Sequence, residues 1–169
     1  MYRSQATLSA MRNRGPLRIQ KQNHGVSTVF YGQSREEMRQ LFIDSWNKRL
    51  AKVPMEPIEE TVAAVVAEHP EYHRLLEKAD AALSRDYLPE FGETNPFLHM
   101  AMHITLREQL SSDRPQGVAD IYRRLLVKSG QSHEVEHRMA ECLGEALWRA
   151  QHDNKAPDEA AYLECLQRL

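Results

Sequence analysis

The sequence predicts a single all-α domain, a helical bundle of six or seven helices over residues 34–169, behind a flexible basic arm at residues 1–33. Apolar residues recur at helical spacings of three and four, and no stretch alternates with the period of two that marks a strand. Prolines and capping residues divide this pattern into segments of helical length. With 169 residues, 41% hydrophobic and 27% charged, the chain has the size and composition of one globular domain that buries its own core.

The charges of the chain divide at about residue 33. Residues 1–33 hold five of the 22 basic residues and none of the 24 acidic ones, so the remainder carries 17 basic and 24 acidic residues, a balance of −7. An acidic body argues against nucleic acid as the main partner of the folded part. The arm lacks apolar periodicity and contains Gly15, Pro16 and Gly25, which indicates disorder. Membrane or nucleic-acid contact by the arm, and an over-early start codon that adds it to the chain, stay open as alternatives.

The first half of the domain is predicted to form three helices separated by prolines. Ser34 followed by Glu37 fits a capping box, which starts a helix that runs to about Leu50. Pro57 suits the first turn of a second helix, and Pro70 ends or kinks that helix and opens a third. The first helix has one stripe with two residues beside it, Trp46 and Leu50; the stripe is Met38, Leu41, Phe42, Ser45 and Arg49. The inward face of the second is Ile58, Val62, Val65 and Val66, and the third carries Tyr72, Leu75, Leu76 and Ala79.

A loop at residues 84–94, marked by Pro89 and Gly92, precedes the second half of the domain. Asn95 as N-cap and Pro96 as first helical residue start a nearly apolar helix, which is expected to be central and buried. Three further helices are predicted after it: one from Pro115 to about Ser129, one that carries a histidine pair to about Gln151, and a last one from Pro157.

Two of these helices each carry a pair of histidines four residues apart, His99 with His103 and His133 with His137. Side chains at i and i+4 lie on one face of a helix, so each pair is placed to close on a single metal ion. The first pair lies within the apolar stripe of its helix, where an imidazole without partners costs roughly 1–3 kcal/mol. The second pair lies on a seam whose small residues permit a close approach by another helix: Ala140 and Gly144. We expect the helix with the first pair to occupy that position.

Four imidazoles, or three with a water, suit a divalent transition metal such as zinc or iron. The leading prediction is therefore a metal-binding helical protein with four ligands: His99, His103, His133 and His137. The alternative is a non-catalytic interaction or scaffold protein, in which these histidines pack and hydrogen-bond without metal. A third pair at the same spacing, His69 and His73, is not predicted to bind metal, because the intervening Pro70 is expected to turn the two side chains to different faces.

The second pair also matches the HExxH pattern of zinc peptidases, with Glu134 as the general base for a metal-bound water. The longer HExxHxxGxxH form is not matched, so a zinc hydrolase is the minor alternative. Glu134 and His137 make one ExxH unit, but the first histidine helix has no second unit, which disfavours a di-iron carboxylate site. Glu141 is a candidate for orienting an imidazole, with an ordinary surface glutamate as the competing interpretation.

The two cysteines and the distribution of apolar residues indicate where in the cell the protein is located. Cys142 and Cys165 both lie among apolar residues on predicted helices, which predicts reduced core thiols in a cytoplasmic protein. No apolar run reaches the length of a membrane span, and no signal-peptide pattern is found. We therefore expect a cytoplasmic protein with no membrane partner. No motif identifies another partner, and a homo-oligomer stays open.

Several runs of the sequence carry a family resemblance. These are TNPFLHMAMHITLREQLSSDRPQG, IYRRLL, HEVEHRMAECLGEALWRAQ and PDEAAYLECLQRL. Together they resemble the bacterial domain-of-unknown-function family 1841, over roughly residues 30–169, which leaves the basic arm outside. The resemblance implies a small all-helical protein and the extent of its domain. It implies no catalytic residues, because the family has no established activity, so the proposed ligands depend on spacing alone.

Overall fold

The computed structural model describes residues 34–84, 87 and 95–169, and every regular element in those ranges is helical. The predicted all-α fold is thus confirmed there, whereas the basic arm and most of the predicted loop at 84–94 lie outside the described residues. The segment predicted as one third helix is divided into a 3-10 turn, Pro70–Tyr72, and two short helices. The α-helices of the described part are α1 (Arg35–Ala51), α2 (Pro57–Ala67), α3 (His73–Leu76), α4 (Ala79–Ser84), α5 (Pro96–Ser112), α6 (Val118–Ser129), α7 (Ser132–Asp153) and α8 (Glu159–Gln167).

Local capping starts α1 and α5 at the predicted residues. The Ser34 hydroxyl accepts the backbone N–H of Glu37 at 3.1 Å, and the Glu37 carboxylate accepts the N–H of Ser34 at 2.6 Å. The Asn95 side chain accepts the N–H groups of Phe97 and Leu98 at 3.1 and 3.2 Å. Each cap satisfies backbone donors that the first helical turn leaves without a carbonyl partner. Both predicted helix starts are confirmed.

Two helices begin later than their prolines suggest. The carboxylate of Asp113 accepts the N–H groups of Gly117 and Ala119, both at 3.1 Å, and Gly117 adopts a φ of 93°. The chain therefore turns at residues 113–117, and α6 begins at Val118 rather than at Pro115. In α8 the cap is Asp158, whose carboxylate accepts the N–H of Ala161 at 3.0 Å, so the helix begins after Pro157.

The core of the described part consists of two apolar clusters that α5 joins. One cluster is built from α1, α2, α3, α4 and the first half of α5, and the other from the second half of α5 with α6, α7 and α8. Phe97, Met100 and Ile104 of α5 belong to the first cluster and Leu106 to the second, and all four are fully buried. Because α5 packs against both α2 and α7, residues of these three helices meet around its middle.

The cysteine prediction was wrong. Cys142 of α7 and Cys165 of α8 form a disulfide, with their Cα atoms 5.9 Å apart. Each cysteine lies on its own amphipathic helix, and only the packing of α7 against α8 brings them together. Because the two cysteines are bonded, they no longer indicate a cytoplasmic protein, and the cytoplasmic location stays a prediction. Among the described helices, none combines the length and the apolar character that crossing a membrane requires.

Candidate metal centre

Five histidines from three segments lie side by side at the middle of α5. His99 and His103 are on α5, His133 and His137 are on α7, and His69 follows the last turn of α2. The two predicted pairs face each other, since the ring centroids of His103 and His137 lie 4.8 Å apart and those of His99 and His137 lie 5.0 Å apart. The predicted approach of the two histidine helices is therefore present in the structure.

The fifth histidine, His69, was missed by the sequence reasoning. It is fully buried, and its ring contacts those of the other four at centroid distances of 4.7–6.0 Å. Pro70 does separate it from His73, whose Nε2 lies 2.9 Å from the carbonyl oxygen of Val66 and whose ring packs on Trp46. The sequence does contain one indication that His69 is buried, namely its position at the end of an apolar helix, directly before Pro70.

The hydrogen bonds of His69 determine which of its nitrogens is free to bind a ligand. Its Nδ1 lies 2.7 Å from the carbonyl oxygen of Val65. A carbonyl only accepts, so Nδ1 carries the hydrogen, and the neutral ring has its lone pair on Nε2. That Nε2 lies 3.1 Å from Nε2 of His99. Two nitrogens at this distance either share one proton or bind one ion.

Four of the five rings are arranged as a tetrahedron. One nitrogen from each of His69, His99, His103 and His137 lies within 4.8 Å of the others. For an ion bound about 2.0–2.1 Å from each imidazole nitrogen, the ring centroids would lie about 5.2 Å apart. Five of the six centroid distances are 4.7–5.0 Å, and the sixth, from His69 to His137, is 6.0 Å. The planes cross at 50–82°, so none of these four rings is stacked on another.

The remaining predicted ligand, His133, has a different geometry. Its ring is stacked on that of His103, at 5.0 Å between centroids and 9° between planes. The four rings of the tetrahedron cross one another at large angles, whereas His133 is nearly parallel to His103 and is absent from the group of four histidines whose nitrogens lie within 4.8 Å of one another. The Nδ1 of His133 instead lies 3.4 Å from a carboxylate oxygen of Glu68. In this arrangement His133 lies beside the tetrahedron and is not one of its vertices.

Several ring nitrogens of the cluster have no hydrogen-bond partner. Nε2 of His103 and Nε2 of His137 are buried and unpaired, as is Nδ1 of His133. Leaving such an atom buried without a partner costs roughly 1–3 kcal/mol. Neutral imidazole nitrogens are suitable ligands for zinc, iron, nickel and copper, so the donor set fits a transition metal.

A buried carboxylate fixes the orientation of His103. Nδ1 of His103 lies 2.7 Å from Oε2 of Glu136, and the carboxylate accepts, so the lone pair of His103 is on Nε2. Metal-binding histidines commonly have such an acceptor on their second nitrogen. Burial alone would raise the pKa of Glu136, but hydrogen bonds from His103 and Arg107 outweigh it and hold the pKa below its usual range. Glu136 thus takes the orienting position for which Glu141, which is exposed, was a candidate.

The cluster favours neutral imidazoles. Burial lowers the pKa values of His69, His99 and His137, and neighbouring histidines lower them further. The pKa of His99 falls to about 4. A neutral ring has the free lone pair that a metal ligand needs, so these three side chains are in the binding form at neutral pH.

The predicted general base lies outside this cluster of rings. Glu134 is exposed on α7 and accepts a hydrogen bond from the hydroxyl of Ser129 at 2.8 Å. It follows His133 by one residue, so its side chain leaves the helix about 100° from that histidine. The hydrogen bond from Ser129, the last residue of α6, holds the Glu134 carboxylate at the start of α7.

Comparison with known proteins identifies the family of the chain. No curated protein and no solved structure matches it. A family model matches residues 34–168, which is nearly the whole described domain and ends one residue before the C-terminus of the chain. The chain therefore belongs to the family described as a domain of unknown function, DUF1841.

Proposed function

We propose that this protein binds one divalent transition-metal ion through His69, His99, His103 and His137. The observation that carries the proposal is the arrangement of these four rings, in which five centroid distances are 4.7–5.0 Å and one nitrogen from each ring lies within 4.8 Å of the others. This set keeps three of the ligands predicted from the sequence and replaces His133 with His69. Zinc or iron suits the four nitrogen donors, and the metal would supply charge and fixed geometry at the junction of α2, α5 and α7.

A site in which all four ligands come from the protein favours a structural, storage or sensing role over hydrolysis. Structural zinc sites have four protein ligands, whereas catalytic sites keep one position for water or substrate. A hydrolytic or oxidative role would need one histidine to leave, and the exposed Glu134 would have to reach the site. Loss of metal should then loosen the packing of the three segments that the ligands join.

The metal-free interaction protein is supported by one contact. The two Nε2 atoms of His69 and His99 lie 3.1 Å apart, which is also the length of an N–H···N hydrogen bond. That bond leaves Nε2 of His103 and Nε2 of His137 without partners. A bound ion would satisfy all four nitrogens together, and for this reason we favour metal binding.

The proposal is tested by comparing the metal content of single histidine variants. Untagged protein is purified without chelator, dialysed against zinc and then against metal-free buffer, and its metal is measured by plasma mass spectrometry. His69→Ala should abolish stoichiometric zinc, whereas His133→Ala should retain it. His152→Ala, an exposed histidine near the end of α7, is the control and should retain zinc as well.

The two ligand sets give opposite results in this experiment. Zinc retained by His69→Ala but lost by His133→Ala would support the set predicted from the sequence. No zinc or iron in folded wild-type protein, before or after loading, would refute metal binding and leave the interaction protein. Circular dichroism of each variant confirms that a loss of metal is not a loss of folding.

A further inference from the structure

A second group of metal-ligand side chains adjoins the four-histidine site. The ligand atoms of His103, His133 and Glu136 all lie within 4.8 Å of one another. A carboxylate oxygen of Glu68 lies 3.4 Å from Nδ1 of His133, which has no hydrogen-bond partner. If His103 serves the first site, the second still has His133, Glu68 and Glu136. One imidazole and two carboxylates form a donor set that binds zinc or iron.

A guanidinium group already lies between these donors. Nη2 of Arg107 lies 2.6 Å from Oε2 of Glu68 and 3.2 Å from Oε2 of Glu136. Nε of Arg107 lies 3.3 Å from each oxygen of Glu136. Arginine stays protonated in proteins, and here the two carboxylates raise its pKa further despite its burial. A positive charge is thus held permanently between the two carboxylates of the second group.

We infer that Arg107 occupies a second cation site and limits the protein to one metal ion. The inference goes beyond the proposed function and rests on it for the first ion. Removing Arg107 would leave Glu68 and the buried Glu136 uncompensated beside an unpaired imidazole nitrogen. A divalent cation at that position would restore the charge balance and satisfy the nitrogen. Arg107→Ala therefore converts a one-ion protein into a two-ion protein.

The number of zinc equivalents tests the inference directly. Wild-type protein and variants are titrated with zinc, and the bound equivalents are counted by native mass spectrometry and by plasma mass spectrometry. We expect one equivalent for wild type and two for Arg107→Ala. Arg107→Lys keeps a cation in place and should bind one. Arg123→Ala, which removes an exposed arginine of α6, is the matched control and should also bind one.

A double variant locates the extra ion. Adding His133→Ala to Arg107→Ala should return the count to one, because His133 is a ligand of the second site only. Adding His69→Ala instead should remove the first ion and leave the second. Arg107→Met keeps the aliphatic volume of the side chain, so it provides the same count if the alanine variant does not fold.

The outcomes separate this inference from the proposed function. One equivalent in both Arg107→Ala and Arg107→Met, with wild type at one, overturns the second site and leaves the first intact. Two equivalents in wild type overturn the blocking role of Arg107. No zinc in wild type refutes the four-histidine proposal, and zinc bound by Arg107→Ala in that case would assign metal binding to the second group alone. Thermal unfolding gives a second measurement: excess zinc should raise the Tm of Arg107→Ala more than that of wild type.

Discussion

The buried carboxylate of Glu136 makes the strongest prediction for a single substitution. Its side chain is 6% exposed and contacts both His103 and Arg107, at 2.7 and 3.2 Å. Glu136→Gln keeps the shape and can still accept from His103, but it removes the charge that pairs with Arg107. Breaking a buried ion pair costs about 3–5 kcal/mol, and each charge-assisted hydrogen bond is worth about 1.5–3 kcal/mol.

The expected loss in Glu136→Gln is smaller than the full cost of breaking a buried pair. Arg107 is 25% exposed and keeps its contact with Glu68, so its charge is not left without a partner. We therefore expect the free energy of unfolding of the metal-free protein to fall by about 2–3 kcal/mol. Because a neutral amide accepts the Nδ1–H of His103 less strongly than the carboxylate does, the proposed ligand becomes less basic and zinc affinity should fall by about 10–100-fold.

Urea unfolding and competition with a zinc chelator measure these two quantities. The matched control is Glu134→Gln, which changes an exposed glutamate two residues away on the same helix and should alter stability by about 0.5 kcal/mol or less. Unchanged stability and unchanged zinc affinity in Glu136→Gln would refute the reasoning about this carboxylate.

Three further predictions concern the rest of the described domain. Reducing the bond between Cys142 and Cys165, which are 23 residues apart, should lower the free energy of unfolding by about 3 kcal/mol, and identical urea midpoints for oxidised and reduced protein would contradict this. Burial holds the pKa of His99 at about 4, below its ordinary value of 6.5, so on acidification the unfolded chain takes up a proton at a higher pH than the folded chain does. The free energy of unfolding of the metal-free protein should therefore have its full value above pH 6.5 and fall towards pH 4, and it should fall less steeply in His99→Gln. Asn95→Ala removes the cap of α5 and should cost about 1 kcal/mol in urea unfolding, whereas an unchanged midpoint would show that the cap contributes nothing.

Features that depend on a few neighbouring residues were predictable from the sequence. The starts of α1 and α5 follow from the side chains of Ser34 and Asn95, which bond to amides two or three residues away. The meeting of the two histidine helices followed from the small residues beside His133 and His137. At Gly144 an added Cβ would lie 3.9 Å from the sulfur of Met102 on α5, an ordinary contact, so the helices do approach there.

Features that depend on the path of the chain were not predictable in this way. His69 points into the cluster because the chain turns at Pro70 and the His69 ring hydrogen-bonds to the carbonyl of Val65. Helical spacing alone does not predict this direction. The disulfide depends on how α7 packs against α8. Glu136, in contrast, leaves α7 about 60° from His133. Its place on the histidine face was therefore available from the sequence.

X-ray absorption of the zinc-loaded protein tests the central claim most directly. The four-histidine site predicts one zinc per chain with four nitrogen neighbours at about 2.0–2.1 Å and the multiple-scattering signal of imidazole rings. His69→Ala should remove this signal, and His133→Ala should leave it unchanged. A spectrum dominated by five or six oxygen neighbours, or protein that releases zinc on dialysis, would contradict the account.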